Sequence, residues 1–168
     1  WVKELTIVDG NGHVHVLKEK HDTNEFCGSE GIAGVVVEAN LKLTGIPKDG
    51  TLSLLRFEKT EDMIQKVNSL DLKSGIQSVE FLDKITAQKV GLGNEKIVLV
   101  EYQDDSGDIK DKSEMARIMK SRENVWPTLA SEGYKIIEDP KITNPHIIDF
   151  LDWLDAVNIP CFGHISAG

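Results

Sequence analysis

The chain has 168 residues, 40% hydrophobic and 28% charged, the size of one domain or of two small ones. A formal net charge of -9 makes nucleic-acid phosphates and anionic lipid poor partners, and no apolar run approaches the ~20 residues of a bilayer span. Cys27 and Cys161 stand far apart with no Cys-x-x-Cys, which argues against a disulfide framework or a cysteine zinc site and for a reducing, cytoplasmic setting.

In chain order, alternation around Leu5, Ile7 and Val8 and then Val14, Val16 and Leu17, with Asp9-Gly10-Asn11-Gly12 between, predicts an antiparallel hairpin over residues 4–17. His13 and His15 would share one face of its second strand, read here as solvent-side histidines rather than a metal pair. A glycine-rich loop, Gly28 to Gly34, then feeds a β-branched strand from Val35. The order is loop then strand, so it is neither a dinucleotide-binding motif nor a P-loop. Gly45-Ile46-Pro47-Lys48-Asp49-Gly50 reads as a domain boundary.

Beyond it strands alternate with helices. Strands are predicted over 51–57, 76–82, 97–102, 133–138 and at the end of 158–163. Helices are predicted from a Thr60 cap through Leu70, over 83–90, through Met115 to Val125, and from Asn144-Pro145, an N-cap followed by proline. Pro127 breaks or restarts the third of these. The continuous apolar run Ile97–Val100 marks a central strand covered on both faces. Acidic residues from Glu101 to Glu114 read as a solvated connection, and Asp149, Asp152 and Asp155 as the wet face of the last helix. Trp126, Trp153, Phe150 and the methionines read as core. These patterns describe an α+β protein and declare no function.

Two segments add a function. Gly28-Ser29-Glu30-Gly31-Ile32-Ala33-Gly34-Val35-Val36-Val37-Glu38-Ala39-Asn40-Leu41-Lys42-Leu43 resembles the G-S-E-G-T-L-G stretch and its following strand that close the flavin domain of FAD-linked oxidases of the vanillyl-alcohol-oxidase, or PCMH, type. That group includes the glycolate oxidase FAD subunit and D-lactate dehydrogenase. Gly163-His164-Ile165-Ser166-Ala167-Gly168 resembles the opening of the family's G-H-x-G-D-G-N-x-H, with Ser166 and Ala167 in place of Gly-Asp.

The resemblance implies a fragment: residues 1–46 as the end of a flavin-binding domain, and 50–168 as a truncated substrate, or cap, domain with a ferredoxin-like, mainly antiparallel sheet. The opening Trp1-Val2-Lys3, without an initiator Met, agrees with a chain processed or cut from a longer one. It implies FAD near Gly28, Ser29, Glu30, Gly31 and Gly34, where a tight backbone can approach a flavin ring. Arg122, in the place of the family's Arg-Glu pair, would hold a substrate carboxylate, and His164 would contribute to substrate and divalent-metal binding. The implied partners are a small 2-hydroxy acid such as lactate or glycolate, and an electron-acceptor subunit. Strands stripped of a neighbouring subdomain would favour a homodimer. The alternative, from another class, is a non-enzymatic α+β binding or regulatory module built on a ferredoxin-like sheet.

Overall fold

The structure, a computed structural model, describes residues 1–45, 50–73 and 75–165. Most of the predicted boundary segment, residues 46–49, and the final residues 166–168 lie outside the described residues. The chain divides into two compact units, Trp1–Ile46 and Pro47–Gly168. Both are α+β with antiparallel sheets.

The first unit is a three-stranded sheet in the order β2-β1-β3, built from β1 (Val2–Val8), β2 (Val14–Leu17) and β3 (Val35–Leu41). The β1–β2 connection is fixed from within: Asp9 Oδ1 accepts from the backbone N–H groups of Asn11 and His13, both at 2.9 Å, while Gly12 adopts φ +83°. Leu5 and Ile7 are buried on one face, beside the short helix α1 (Lys20–Phe26), of which Thr23 is buried. Helix α1 is absent from the sequence-based reading. Its sequence KHDTNEF carries one large apolar side chain, so no helical stripe announces it. Val37 is an extra residue in β3, opposite the Thr6–Ile7 step, a bulge in an edge strand. Every residue of β3 is exposed.

The second unit is a four-stranded sheet in the order β4-β6-β5-β7, from β4 (Thr51–Phe57), β5 (Ile76–Leu82), β6 (Lys96–Tyr102) and β7 (Phe162–His164), every pairing antiparallel. β6 sits inside the sheet, and Ile97 to Val100 are at most 2% exposed, in keeping with their continuous apolar run. Alternation divides its side chains. Val98 and Val100, with Val79 and Phe81, pack under α2 (Thr60–Asn68) and α6 (Asn144–Ala156). Ile97 and Leu99, with Leu82, pack under α3 (Lys84–Lys89), α4 (Lys112–Glu123) and α5 (Val125–Ser131). Helices pack on both faces of the sheet, while Arg56, Gln77 and His164 stay exposed at its margins.

β4, α2, β5 and β6 form a split βαβ arrangement as in ferredoxin-like sheets. A helix rather than a hairpin joins β5 to β6, and β7 lies beside β5. Pro127 restarts the helix, α5 following α4 across Asn124. Two expectations shift by one residue: Lys59 is the N-cap of α2 and Thr143 that of α6, and neither side chain caps. Freed from capping, Thr60 Oγ1 donates to Asp152.

The strand predicted over 133–138 does not form. Residues 134–143 carry no regular structure, and Ile136 is 76% exposed. Alternation marks a strand only where a sheet edge accepts it; here the outer side of β4 is met by Ile109, through a bridge to Leu52. The aspartates of α6 also depart from expectation, since Asp152 meets Thr60 and Asp155 pairs with Lys96. Trp153 is half exposed, stacked near Phe150, while Trp126 packs on the α4–α5 side of the core. Among the described residues no helix is long and apolar enough to cross a membrane.

Candidate functional site

The second unit brings Arg122 and His164 together on a residue that the sequence reading passed over, Glu80. Glu80 lies on β5, and the β5–β7 register sets it directly opposite His164. Side chains of paired residues share a face, so both project toward the side covered by α4. On α4, Ile118 is buried in that core, and Arg122, one turn later on the same face, reaches the same strip of sheet. Arg122 Nε donates to Glu80 Oε2, and His164 Nε2 stands 3.5 Å from Glu80 Oε1. The Glu80 side chain is 12% exposed, Arg122 25% and His164 70%, so the carboxylate is the buried centre of the group and the imidazole its open side.

This geometry constrains the chemistry. With Nε committed to Glu80, no hydrogen bond engages the Nη atoms of Arg122 among the described residues, which leaves a two-donor fork for an incoming carboxylate. Glu80 offsets the arginine's charge and fixes its plane. His164 turns Nε2 to Glu80, and no hydrogen bond engages its Nδ1 among the described residues. The other member of the expected pair, Glu123, turns to Lys120 Nζ at 3.2 Å and joins no site. Among the described residues no group of three or more histidine, cysteine or acidic side chains is placed to hold a metal ion. Glu80 and His164 are two donors, one already neutralised by Arg122, and they do not fit a divalent ion.

The glycine loop belongs to the first unit. Ile32 N–H donates to Ser29 C=O at 3.0 Å across Glu30 (φ +53°) and Gly31 (φ +84°), a turn with both central residues left-handed. Gly28, at φ +83°, and Gly31 have open space where a side chain would stand, so a flat ligand could approach the backbone there. Gly34 differs: a Cβ would lie 2.9 Å from Val8 O and 3.3 Å from Phe26 Cε1. Its glycine is demanded by packing against β1. An open groove of about 520 Å³ in the same unit is lined by Trp1, Lys3, Lys18, Lys20 and Cys27, of which Lys18 pairs with Glu4 at 3.1 Å.

His13 and His15 both turn to Asp9, His15 Nε2 at 2.9 Å and His13 Nδ1 at 3.5 Å from Oδ2. The His15 hydrogen bond, with the loop amide of His13, holds the Asp9 carboxyl down at about 2.

A second polar cluster, Asp83 with Cys161, sits where α3 begins. Asp83 caps α3 by accepting from Thr86 N–H at 2.8 Å and receives Cys161 N–H at 3.0 Å. Burial raises the Asp83 carboxyl above its ordinary range, opposed by the Thr86 hydrogen bonds. Burial, helped by Asp83 and Asp155, pushes the Cys161 thiol to about 12. The adjoining recess of about 10 Å³ has room for one water and no substrate.

Glu80 was visible in principle. In Ile76-Gln77-Ser78-Val79-Glu80-Phe81-Leu82 it alternates with Leu82 on a row that faces a helical layer, so an acid there needs a buried partner. The chain matches no protein-family model and no curated protein.

Proposed function

We propose that the chain is part of an FAD-dependent oxidoreductase that oxidises a small 2-hydroxy acid such as lactate or glycolate. Its first unit would be the end of a PCMH-type flavin-binding domain and its second part of the substrate domain. The observation that carries this reading is the meeting of Arg122 and His164 on Glu80: two residues nominated from separate motif resemblances share one carboxylate. Arg122 binds the substrate carboxylate through its Nη fork, with Glu80 holding the guanidinium plane. His164 lies beside that position with a free ring nitrogen, suited to the proton of the 2-hydroxyl. FAD, when bound, supplies the hydride acceptor. No metal step belongs to this reading, because the donors present do not fit an ion.

The binding-module alternative needs an open sheet face or pocket in the second unit. Helices pack on both faces of that sheet, which leaves its edges rather than its faces for such binding and favours the enzyme reading. The test is anaerobic reduction of the flavin-loaded protein by D-lactate and glycolate. In the longer polypeptide that carries the remaining flavin segments, bleaching of the flavin is expected, with Arg122→Leu raising the half-saturating acid concentration about tenfold or more, the worth of one charged hydrogen-bond pair. An Arg122→Leu protein that saturates like wild type would overturn the assignment.

A further inference from the structure

We propose that β3 is a self-association edge, pairing antiparallel with β3 of a second copy about a two-fold axis through Asn40. β3 is the outer strand of its sheet, hydrogen-bonded to β1 on one side, and its residues are exposed on both faces. Val35 is 63%, Leu41 52% and the following Leu43 85% exposed. Such an edge templates pairing with another chain unless charge, proline or a covering element blunts it. Here the extra residue Val37 disturbs one end of β3; the second register shift, opposite Asn40 and Leu41, places its extra residue, Lys3, in β1, so β3 itself keeps its alternation from Glu38 to Leu41.

Backbone direction limits the register. Lys42 N–H donates to Trp1 O at 2.7 Å, so the backbone of Lys42 faces β1, as do those of Asn40 and Glu38 by alternation. Ala39 and Leu41 therefore turn their N–H and C=O groups outward. An antiparallel partner must match outward groups with outward groups, so neighbouring registers differ by moving the two-fold axis one residue at a time. An axis through Glu38 sets that carboxylate against its own copy. An axis through Ala39 sets Glu38 against Asn40 and Lys42 against Val36. An axis through Asn40 pairs Glu38 with the second copy's Lys42, Ala39 with Leu41 and Val37 with Leu43. Only this register joins the strand's two charged residues as opposites and covers the exposed leucines with apolar neighbours. No ion pair engages Glu38 or Lys42 among the described residues, so both are available.

Because each charge faces its opposite on the other copy, charge reversal gives a test that folding defects cannot imitate. Sedimentation equilibrium of the full chain is expected to show a monomer–dimer equilibrium. Glu38→Lys and Lys42→Glu should each raise the dimer dissociation constant about tenfold or more, by setting like charges opposite twice per dimer. An equimolar mixture of the two variants should recover wild-type affinity as a heterodimer, and the double variant should recover it as a homodimer. Ala39→Pro, which removes an outward N–H at a position an edge strand tolerates, should leave the circular dichroism unchanged and abolish the dimer. A monomeric wild type at millimolar concentration overturns the proposal, as does a mixture that recovers no dimer or an Ala39→Pro chain that dimerises normally.

Discussion

At the scale of single residues, three half-buried or buried side chains each make a distinct prediction. Glu80 is held by Arg122 with little access to water, so Glu80→Gln removes a charged acceptor and leaves the guanidinium without its partner. A loss of about 1–3 kcal/mol in urea unfolding is expected. Cys161, with its thiol pushed to about 12 by burial and nearby carboxylates, holds almost no thiolate at pH 8, whereas Cys27 is exposed. Iodoacetamide under native conditions should alkylate Cys27 and spare Cys161, read by peptide mass; equal labelling would contradict the packing around Asp83. Asp83 sets a pH dependence of known sign. Its carboxyl is raised in the folded chain, so its contribution to stability is fully present below the unfolded value of ~3.9 and is lost as pH rises through the raised folded value. The difference in urea midpoint between wild type and Asp83→Asn should therefore move in favour of wild type as pH is lowered from 7 toward 4.

At the scale of elements, the glycine loop separates into parts with different duties. Gly34 is fixed by the carbonyl of Val8 and the ring of Phe26, at φ +151°, so Gly34→Ala should cost about 1–3 kcal/mol whether or not a ligand binds. Gly28 has open space at the Cβ position, and its variant should show only backbone strain. Elements with strong periodicity were legible from sequence: the Met63, Ile64, Val67 stripe of α2 and the apolar run of β6 both reach the core as read. What was not legible depended on partners distant in sequence. Tyr134 to Ile137 alternate like a strand, yet no sheet edge receives them. Helix α1 forms from a polar heptamer whose buried member is Thr23, a residue no hydropathy pattern singles out. Asp152 and Asp155 read as a wet face because Thr60 and Lys96, which they meet, lie on other elements. The site followed the same rule. Arg122 and His164 could be nominated from local motifs, and Glu80 could be singled out as an acid on a covered row of β5, but that it joins the two is visible only once β5 is laid beside β7.

At the scale of the whole molecule, two small units hold their chemistry differently. The second closes a two-sided core around β6 and presents the Arg122, Glu80 and His164 group at its surface. The first buries Leu5 and Ile7 on one face and leaves β3 bare, the condition of a sheet that gains stability from a neighbour. Under the proposed function both features belong to one account, in which the first unit would be the end of a flavin domain with an open edge and the second a substrate domain whose Arg122 fork would take a carboxylate. Its central claim, that Gly28 to Gly34 lies against FAD in an oxidoreductase of 2-hydroxy acids, is tested most directly by titrating FAD into this chain and into the longer polypeptide carrying the flavin segments that the resemblance implies. The account predicts that the longer form holds FAD and that lactate or glycolate bleaches it, while the shorter form binds weakly and stays oxidised. A longer form that never binds FAD, or a short chain that binds it tightly unaided, would contradict the account.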